Sequence, residues 1–452
     1  MQKTTSYSDL PLIKTTCDPL ATTVEYPLVT PSTVDDNDKA WSLMYKAIID
    51  GIGADPQNFQ LIYPFMTWDW PVSLNGYTSS AQWDFISSVP QWSATGQYVS
   101  SGTTFDDAYQ QMLNVVSAET SDPKLKADIN TARNTLNLAT NNYNTILKQA
   151  QQAYAIETGS TNIPTFTEWQ GSSSGKSWSA NLESAWTEVE AVQKVLNQFL
   201  RQTETPGLYN AQERYRNEEY YTKFQDPSLD TFPSVPSYSI SMDATTWVNK
   251  VQSGTGGSSG TLSFSNNDST YDYKDTWAGG SASVSKFFWS VNVGGSWQRI
   301  DEFVSDNKLE VTVEFEAWDQ ITIAAGRWYN GAFVSSIEEG PFTRGFSPRG
   351  NTGKAVWGKN GIMSLQKVGM IVCYKPSFEI QVSSSSFTKF LEKWNVSGGL
   401  RIGPFQFGGG GGSTTSGWRA NSATNTFSGT STSDTALIIG VIVNPINPLT
   451  NR

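Results

Sequence analysis

Four tryptophans that could stack on a sugar are spaced through one short stretch of the chain. Trp68, Trp70, Trp83 and Trp92 lie in LIYPFMTWDWPVSLNGYTSSAQWDFISSVPQW, among proline, glycine and serine residues. Flat indole faces complement the face of a pyranose ring, so these side chains form a candidate ligand platform. The alternative is that the same rings pin a loop-rich segment onto neighbouring parts of the protein, because burial of an indole is strongly stabilising.

Three carboxylates beside tryptophans provide groups that could hydrolyse a bound sugar. Asp69, Asp84 and Glu168 each stand next to a tryptophan. A glycosidase uses two carboxyl groups that flank the bond it cleaves. The sequence does not bring any two of these groups together, so a carbohydrate-binding protein or carboxylate-based glycosidase is one alternative for the function.

Five consecutive glycines raise the question of a phosphate site. Gly408, Gly409, Gly410, Gly411 and Gly412 stand between an apolar run and a Ser/Thr cluster in LRIGPFQFGGGGGSTTSGW. A P-loop requires GxxxxGK[ST] at the start of a helix, and no lysine follows this run. The glycines are therefore a candidate hinge, with a flexible connection between strands as the alternative.

A longer Gly/Ser-rich segment covers residues 251–297 and contains few charges. Segments of this composition form membrane hairpins in some β-barrel pores, where one face of each strand meets lipid. Serine and glycine occupy both faces here, so a surface loop followed by an ordinary strand is the competing interpretation. Asp268, Asp272 and Asp275 miss the spacing of a calcium loop.

The chain contains no histidine. Histidine is the usual general base near neutral pH and the commonest metal ligand, so triad and zinc-protease chemistry are excluded. Cys17 and Cys373 lie far apart and belong to no metal-ligand spacing, so we expect both to be free. We therefore expect no catalytic residue, no cofactor and no metal site.

Two long helices are predicted in the first half of the chain. After Pro123, apolar or small residues recur at alternating steps of four and three up to Ala153, and the spacing returns from Leu182 to Phe199. This period predicts an antiparallel helical hairpin or small bundle. Its surface is rich in Asn, Gln and Thr, so it could also pack against something beyond its partner helix.

Beyond residue 230 the period shifts to two, the period of a half-buried strand. In LEVTVEFEAW, Leu309, Val311 and Val313 alternate with polar residues such as Glu310 and Glu314. Several shorter runs, ending with ALIIGVIV, predict further strands, and SSFTKFLEKWNV predicts a short helix. The fold class predicted is α+β, an elongated antiparallel helical hairpin or bundle followed by a mostly antiparallel β-sheet or sandwich domain.

These patterns predict three parts. Residues 1–104 form an irregular aromatic-rich segment, 105–230 a helical hairpin or bundle domain, and 231–452 a β-rich domain with Gly/Ser-rich loops. The start of the chain has no secretory signal pattern and no apolar run long enough for a membrane helix, so we expect a cytoplasmic protein as synthesised, with later release an open alternative.

The charge pattern limits the partners that we expect for this protein. A net charge of −11 arises from only 16 % charged residues, and no basic stripe is present, so nucleic acid is not expected as a partner. We expect a non-catalytic binding or self-assembling structural protein that forms a homo-oligomer. The alternative is a soluble pore-forming or membrane-acting toxin that oligomerises on a target membrane, and glycan remains a further partner to test.

Overall fold

The structure, a computed structural model, describes residues 36–446 except 72–76, 119, 121, 159–168, 171, 204–205, 225–233, 273–287, 350–352, 409–414 and 432. It contains both helices and largely antiparallel sheets, so the α+β class is confirmed. The helices are α1 (Asp36–Ile52), α2 (Ser80–Ser87), α3 (Phe105–Val115), α4 (Pro123–Thr158), α5 (Lys176–Leu200), α6 (Pro206–Arg216), α7 (Ala244–Gln252), α8 (Asp301–Val304), α9 (Gly331–Ser336) and α10 (Ser384–Asn395).

Strands are concentrated in the second half of the chain. They are β1 (Phe59–Trp68), β2 (Tyr77–Thr78), β3 (Ser88–Pro90), β4 (Ser100–Thr104), β5 (Tyr221–Phe224), β6 (Val235–Pro236), β7 (Tyr238–Ile240), β8 (Ser258–Ser265), β9 (Trp289–Val293), β10 (Ser296–Arg299), β11 (Glu310–Ala325), β12 (Phe346–Ser347), β13 (Lys354–Ala355), β14 (Leu365–Gln381), β15 (Ser397–Ile402), β16 (Phe405–Gly408), β17 (Thr415–Asn421), β18 (Thr426–Ser431) and β19 (Ala436–Pro445).

The main sheet is built around two long strands, β11 and β14, which pair antiparallel along most of their length. The other edge of β14 pairs first with β19 and then with β18. The other edge of β11 pairs first with β8 and then with β7. The sheet therefore widens into two halves, with β1 at one edge and β17 at another.

The alternation predicted for β11 is confirmed. Val311, Val313 and Phe315 are at most 4 % exposed, whereas Glu310 and Glu314 face solvent. The structure also joins runs that the sequence pattern left separate: DQITIAA continues β11, and KVGMIVCYK continues into SFEIQ as β14. Long apolar strands of this kind are continuous because both halves find a partner strand.

A second sheet, in the order β10-β9-β15-β16, packs on the apolar face of the β18–β14–β11–β8 half. The rings of Phe378 and Phe407 are 4.5 Å apart between centroids, and those of Phe315 and Phe405 are 5.8 Å apart. Helices α1 and α10 complete this core. The aromatic side chains therefore serve mainly to join layers.

Helices α4 and α5 run in opposite directions against each other. Near the start of α4, Leu125 and Ile129 share a core with Leu200 at the end of α5. Near the end of α4, Ala150 packs with Leu182 from the start of α5. The small and apolar seam predicted for these segments is buried or half-buried, because a repeat of four and three keeps these positions on one side of a helix.

The prediction that residues 1–104 are irregular is wrong for the part that the structure describes. Helix α1 buries Trp41, Met44 and Tyr45 in the same core as the main sheet, and β1 pairs with β19. Strand β1 contains Pro64, but it is an edge strand whose register shifts between Leu61 and Met66, where a proline is tolerated.

By its contacts, the described part of the chain forms one compact unit. The boundaries after residues 104 and 230 stay predictions about which segments fold alone. No helix in the described ranges combines the length and hydrophobicity needed to span a lipid bilayer.

Candidate functional site

Two tryptophans of the candidate platform lie in the core. Trp68 is 2 % exposed and Trp70 is 7 % exposed. Their ring centroids are 6.5 Å apart, and Trp68 also lies 5.9 Å from the ring of Trp247. A buried indole cannot offer its face to a sugar, so the platform prediction is wrong for these two residues, which share a core with the main sheet and α7.

The other two tryptophans are partly buried. The indole N–H of Trp83 donates to the carbonyl oxygen of Pro236 at 2.9 Å, and Trp92 packs against the core that contains Trp68. For these two a ligand role stays a prediction. Asp69 and Asp84 are exposed, whereas Glu168 lies outside the described residues, as does Cys17. Cys373 is fully buried and free, as expected.

Only the first glycine of the candidate hinge lies within the described residues. Gly408 ends β16 with φ of 72°, and a Cβ there would lie 2.6 Å from the carbonyl oxygen of Gly398. Glycine is therefore required at this position by the close approach of two strands. Gly409, Gly410, Gly411 and Gly412 are not described, and for them the hinge stays a prediction.

The described part of segment 251–297 is anchored in the fold. Leu262 and Phe264 of β8 are 3 % and 4 % exposed. The Lys39 ammonium of α1 donates to the carbonyl oxygen of Asn266 at 2.8 Å, and the Ser42 hydroxyl donates to that of Tyr271 at 3.0 Å. Release of β8 would expose two core side chains, at about 1.5–3 kcal/mol each. Residues 273–287 lie outside the description, so insertion of that part stays a prediction.

The polar side of the main sheet carries a groove of about 410 Å³ that the sequence analysis missed. Its lining includes Thr312, Glu314, Ser377, Glu379, Arg419 and Ser428. The register places Glu379 opposite Thr312 and Ser377 opposite Glu314, so the two carboxylates are diagonal neighbours. The acidic alternation of β11 was the available signal, but the pairing with β14 could not be foreseen. These groups can hydrogen-bond a polar molecule, and none of the carboxylates proposed from sequence lies among them.

A buried lysine ties β14 to the segment around α2. Lys367 is 4 % exposed, and its ammonium donates to the hydroxyls of Ser88 at 2.7 Å and Tyr98 at 3.0 Å and also to the carbonyl oxygen of Phe85. Burial lowers the pKa of Lys367 well below its ordinary value. Because the amine is enclosed, it offers no nucleophile to a substrate, and its role here is structural.

A cluster of phenols surrounds a buried carboxylate where the base of the helical pair meets the sheet; we call it the tyrosine joint. Its members are Asp106, Tyr109, Tyr215, Tyr221, Tyr238 and Trp328. Asp106 is 5 % exposed and accepts a hydrogen bond from the Tyr238 hydroxyl at 3.1 Å. Burial, and then the neighbouring charge of Asp107, raise the pKa of Asp106 to about 6. The joint therefore encloses a group that changes charge near neutral pH.

We expect Asp106→Asn to flatten the pH dependence of stability. The pKa of Asp106 lies above its ordinary value of 3.8 in the folded protein, so its stabilising contribution is full below that value and is lost as pH rises through about 6. The shift corresponds to at most about 3 kcal/mol. Asparagine keeps the oxygen that accepts from Tyr238 but does not ionise.

The measurement is urea unfolding from about pH 4 to pH 8. The wild type should lose stability over this range relative to Asp106→Asn. Asp107→Asn removes the neighbouring charge that helps to raise the pKa of Asp106, so it should shift the loss of stability to lower pH without abolishing it. Parallel curves for the wild type and Asp106→Asn would contradict the assignment.

The surface of the helical pair differs from the rest of the protein; we call the exposed side chains of α4 and α5 the hairpin surface. Seven large hydrophobic side chains are exposed in the described chain, and four lie here: Leu138 (71 %), Ile156 (79 %), Trp186 (50 %) and Val195 (44 %). The Trp186 ring lies 5.2 Å from that of Tyr143, and its indole N–H donates to Glu190 at 3.1 Å. Trp186 is thus held in place while half exposed.

The hairpin surface is also poor in charge along α4. From Asn134 to Ile156 the only charged residue is Lys148, and the exposed positions are mostly Asn, Gln and Thr. A free helix surface of a soluble protein usually carries many charges. An uncharged polar surface with exposed hydrophobic side chains is typical of one that meets another protein.

No family model matches the chain, and neither does any curated protein or solved structure. Within the described residues there is no group of three His, Cys, Asp or Glu side chains that could hold a metal ion. The evidence for the class of protein therefore lies in the surfaces of the described residues.

Proposed function

We propose that this is a non-catalytic binding protein that self-associates into a homo-oligomer through the hairpin surface. The observation that carries the proposal is the concentration of exposed hydrophobic side chains, Leu138, Ile156, Trp186 and Val195, on one helical pair. Burial of such side chains between copies supplies the free energy of association. Trp186 is of the residue type most often found at the centre of interfaces.

The charge distribution supports the same conclusion. Each copy carries a net charge of −11, so two copies repel each other over most of their surfaces. The stretch from Asn134 to Ile156, with Lys148 as its only charged residue, is where copies can approach at the lowest electrostatic cost. The absence of histidine and the enclosure of Lys367 and Asp106 fit a protein that binds rather than catalyses.

We also propose an architecture for this function. Helices α4 and α5 form an elongated hairpin that presents the interaction surface, and the two packed sheets form a β-sandwich that supports the hairpin. In this arrangement the sandwich supplies rigidity, and the polar groove remains free for a glycan or another polar ligand.

We expect Leu138→Asp with Ile156→Asp to abolish self-association at concentrations where the wild type is oligomeric. Each aliphatic side chain contributes about 1.5–3 kcal/mol on full burial, so loss of both weakens association by at least about 100-fold. Sedimentation equilibrium over a range of concentrations measures it. Met66→Asp with Val396→Asp, which changes exposed hydrophobic residues elsewhere, is the matched control and should associate like the wild type.

A wild type that remains monomeric at every concentration would overturn the proposal. The same samples are then imaged with liposomes and tested for dye release, because assembly only on membranes would favour the membrane-acting alternative. Glycan-dependent tryptophan fluorescence that Trp83→Ala or Trp92→Ala abolishes would favour the carbohydrate-binding alternative.

A further inference from the structure

Six exposed side chains form one line along α4. They are Leu138, Asn142, Thr145, Gln149, Gln152 and Ile156, which we call the α4 stripe. The first and last are 18 residues apart by their numbers, which is about five turns of a helix with 3.6 residues per turn, so they lie on the same side. The steps between members alternate between four and three residues, which keeps all six side chains on that side.

The α4 stripe lies on the part of α4 that extends beyond the core at its base. Leu136 is the last α4 residue in the core shared with α3 and α6. Beyond it, the buried cluster of α4 contains only side chains of α5 and Trp169. Leu138 and Ile156 are the most exposed large hydrophobic residues of the described chain. The stripe is therefore accessible to a second molecule along its whole length.

The α4 stripe has the same order of residue types and the same spacing in both directions along the helix. Read from either end, an aliphatic residue is followed by an amide residue, and the steps four, three, four, three, four are symmetric. A two-fold axis level with Leu147 would place Leu138 of one copy opposite Ile156 of the other. It would also place Asn142 opposite Gln152 and Thr145 opposite Gln149. A surface of this kind is self-complementary, as a two-fold dimer interface requires.

We propose that two copies of the chain dimerise by antiparallel contact of their α4 stripes about this axis. The inference rests on the proposed self-association and specifies its partner, register and symmetry. The partner is a second copy of the chain because the aliphatic residues at the two ends of the stripe face each other in this register. The amide residues also face each other, and the stripe carries no charge.

The length of the free part of α4 fits this register. Leu136, where the core at the base ends, and Thr158, the last residue of α4, are equidistant from Leu147. In the dimer, the end of α4 in one copy therefore comes level with the point where α4 of the other enters its own core. Each helix covers the free length of its counterpart and stops there.

The hydrogen-bonding groups at the centre of the stripe also fit this antiparallel register. The Thr145 hydroxyl already donates to the carbonyl oxygen of Asn141 at 2.7 Å, so its oxygen is left to accept. The side-chain amide opposite, that of Gln149 in the second copy, has N–H groups to donate. Asn142 and Gln152 each carry a donor and an acceptor, so they can exchange two hydrogen bonds. One helix pair buries less area than a standard interface, so the dimer should be reversible.

Charge substitutions at the two central positions test the register. In T145E/Q149E the proposed contact places like charges opposite each other, and in T145K/Q149K it does the same with the opposite sign. We expect each to lose self-association by at least about 30-fold, because like charges that face each other across an interface are strongly unfavourable. An equimolar mixture of the two should form a heterodimer, which a simple loss of helix stability could not produce.

The variant T145E/Q149K tests the direction. In the antiparallel register each introduced charge faces its opposite, so this variant should dimerise within about tenfold of the wild type. A parallel dimer would place like charges opposite each other and would lose association. Sedimentation equilibrium gives the dissociation constants, and circular dichroism verifies that each variant is folded.

The outcomes separate this inference from the function on which it rests. Monomeric wild type overturns both. A wild-type dimer that T145E/Q149E leaves intact, or a mixture that fails to restore association, overturns the α4 register but keeps self-association through the hairpin surface. Loss in both like-charge variants, rescue by mixing and retention in T145E/Q149K confirm it.

Discussion

Trp328→Ala should lower the free energy of unfolding by about 4 kcal/mol, the middle of the range for a buried tryptophan or phenylalanine replaced by alanine. Trp328 is fully buried at the centre of the tyrosine joint. Its ring centroid lies 5.4 Å from that of Tyr238 and 5.8 Å from that of Tyr109. Its indole N–H also donates to the carbonyl oxygen of Ser237 at 2.6 Å.

The large effect follows from where this ring lies. Trp328 contacts Tyr109 on α3, Tyr215 on α6 and Tyr238 on β7, so its removal leaves a cavity between helices and sheet that no single element can close. Cavities that cannot collapse are the most costly. Urea unfolding followed by circular dichroism measures the change.

Trp186→Ala is the matched control for Trp328→Ala. It removes the same side chain from a half-exposed position, where we expect a loss below about 1 kcal/mol. If the two variants lose stability equally, Trp328 does not organise the joint.

Trp68→Ala should also lower the free energy of unfolding, by about 3–5 kcal/mol. Trp68 is 2 % exposed and packs between Trp70 and Trp247, so the change opens a cavity between β1 and α7. Its indole N–H has no hydrogen-bond partner within the described structure, so the stabilisation comes from packing rather than from polar contacts.

Trp68→Phe separates the contribution of ring packing from that of polar contacts. Phenylalanine retains an aromatic ring and sacrifices no hydrogen bond, so it should recover more than half of the stability that alanine loses. Both variants are unfolded in urea, and both are titrated with soluble glycans. A folded Trp68→Ala protein of wild-type stability that had lost glycan binding would restore the platform interpretation that its burial contradicts.

Elements whose pattern is complete within a few turns were predictable from the sequence. The alternation around Val311 and Val313 fixes which side of β11 is buried, because successive side chains of a strand point to opposite faces. The spacing from Leu125 to Ala150 likewise fixes the buried side of α4. The helix at α10 was also predictable from the sequence, with its three buried aromatic residues on one side.

Elements that depend on distant partners were not predictable. Strand β1 is a strand because β19, at the other end of the chain, pairs with it, and no local signal announces that partner. The polar groove requires Glu314 and Glu379 to be neighbours across β11 and β14, which only the register decides. The tyrosine joint gathers Asp106, Tyr215 and Tyr238 from three segments.

The sequence by itself determined the chemistry of the α4 stripe: its residue types, its palindromic spacing and its lack of charge. The sequence likewise determined that the chain has no histidine to serve as a general base. Only the tertiary structure decided that Leu138 and Ile156 stay exposed while Trp68 and Trp70 are buried. The physical reason is that hydrophobicity is a property of each residue, whereas exposure depends on which distant surfaces the folded chain brings against it.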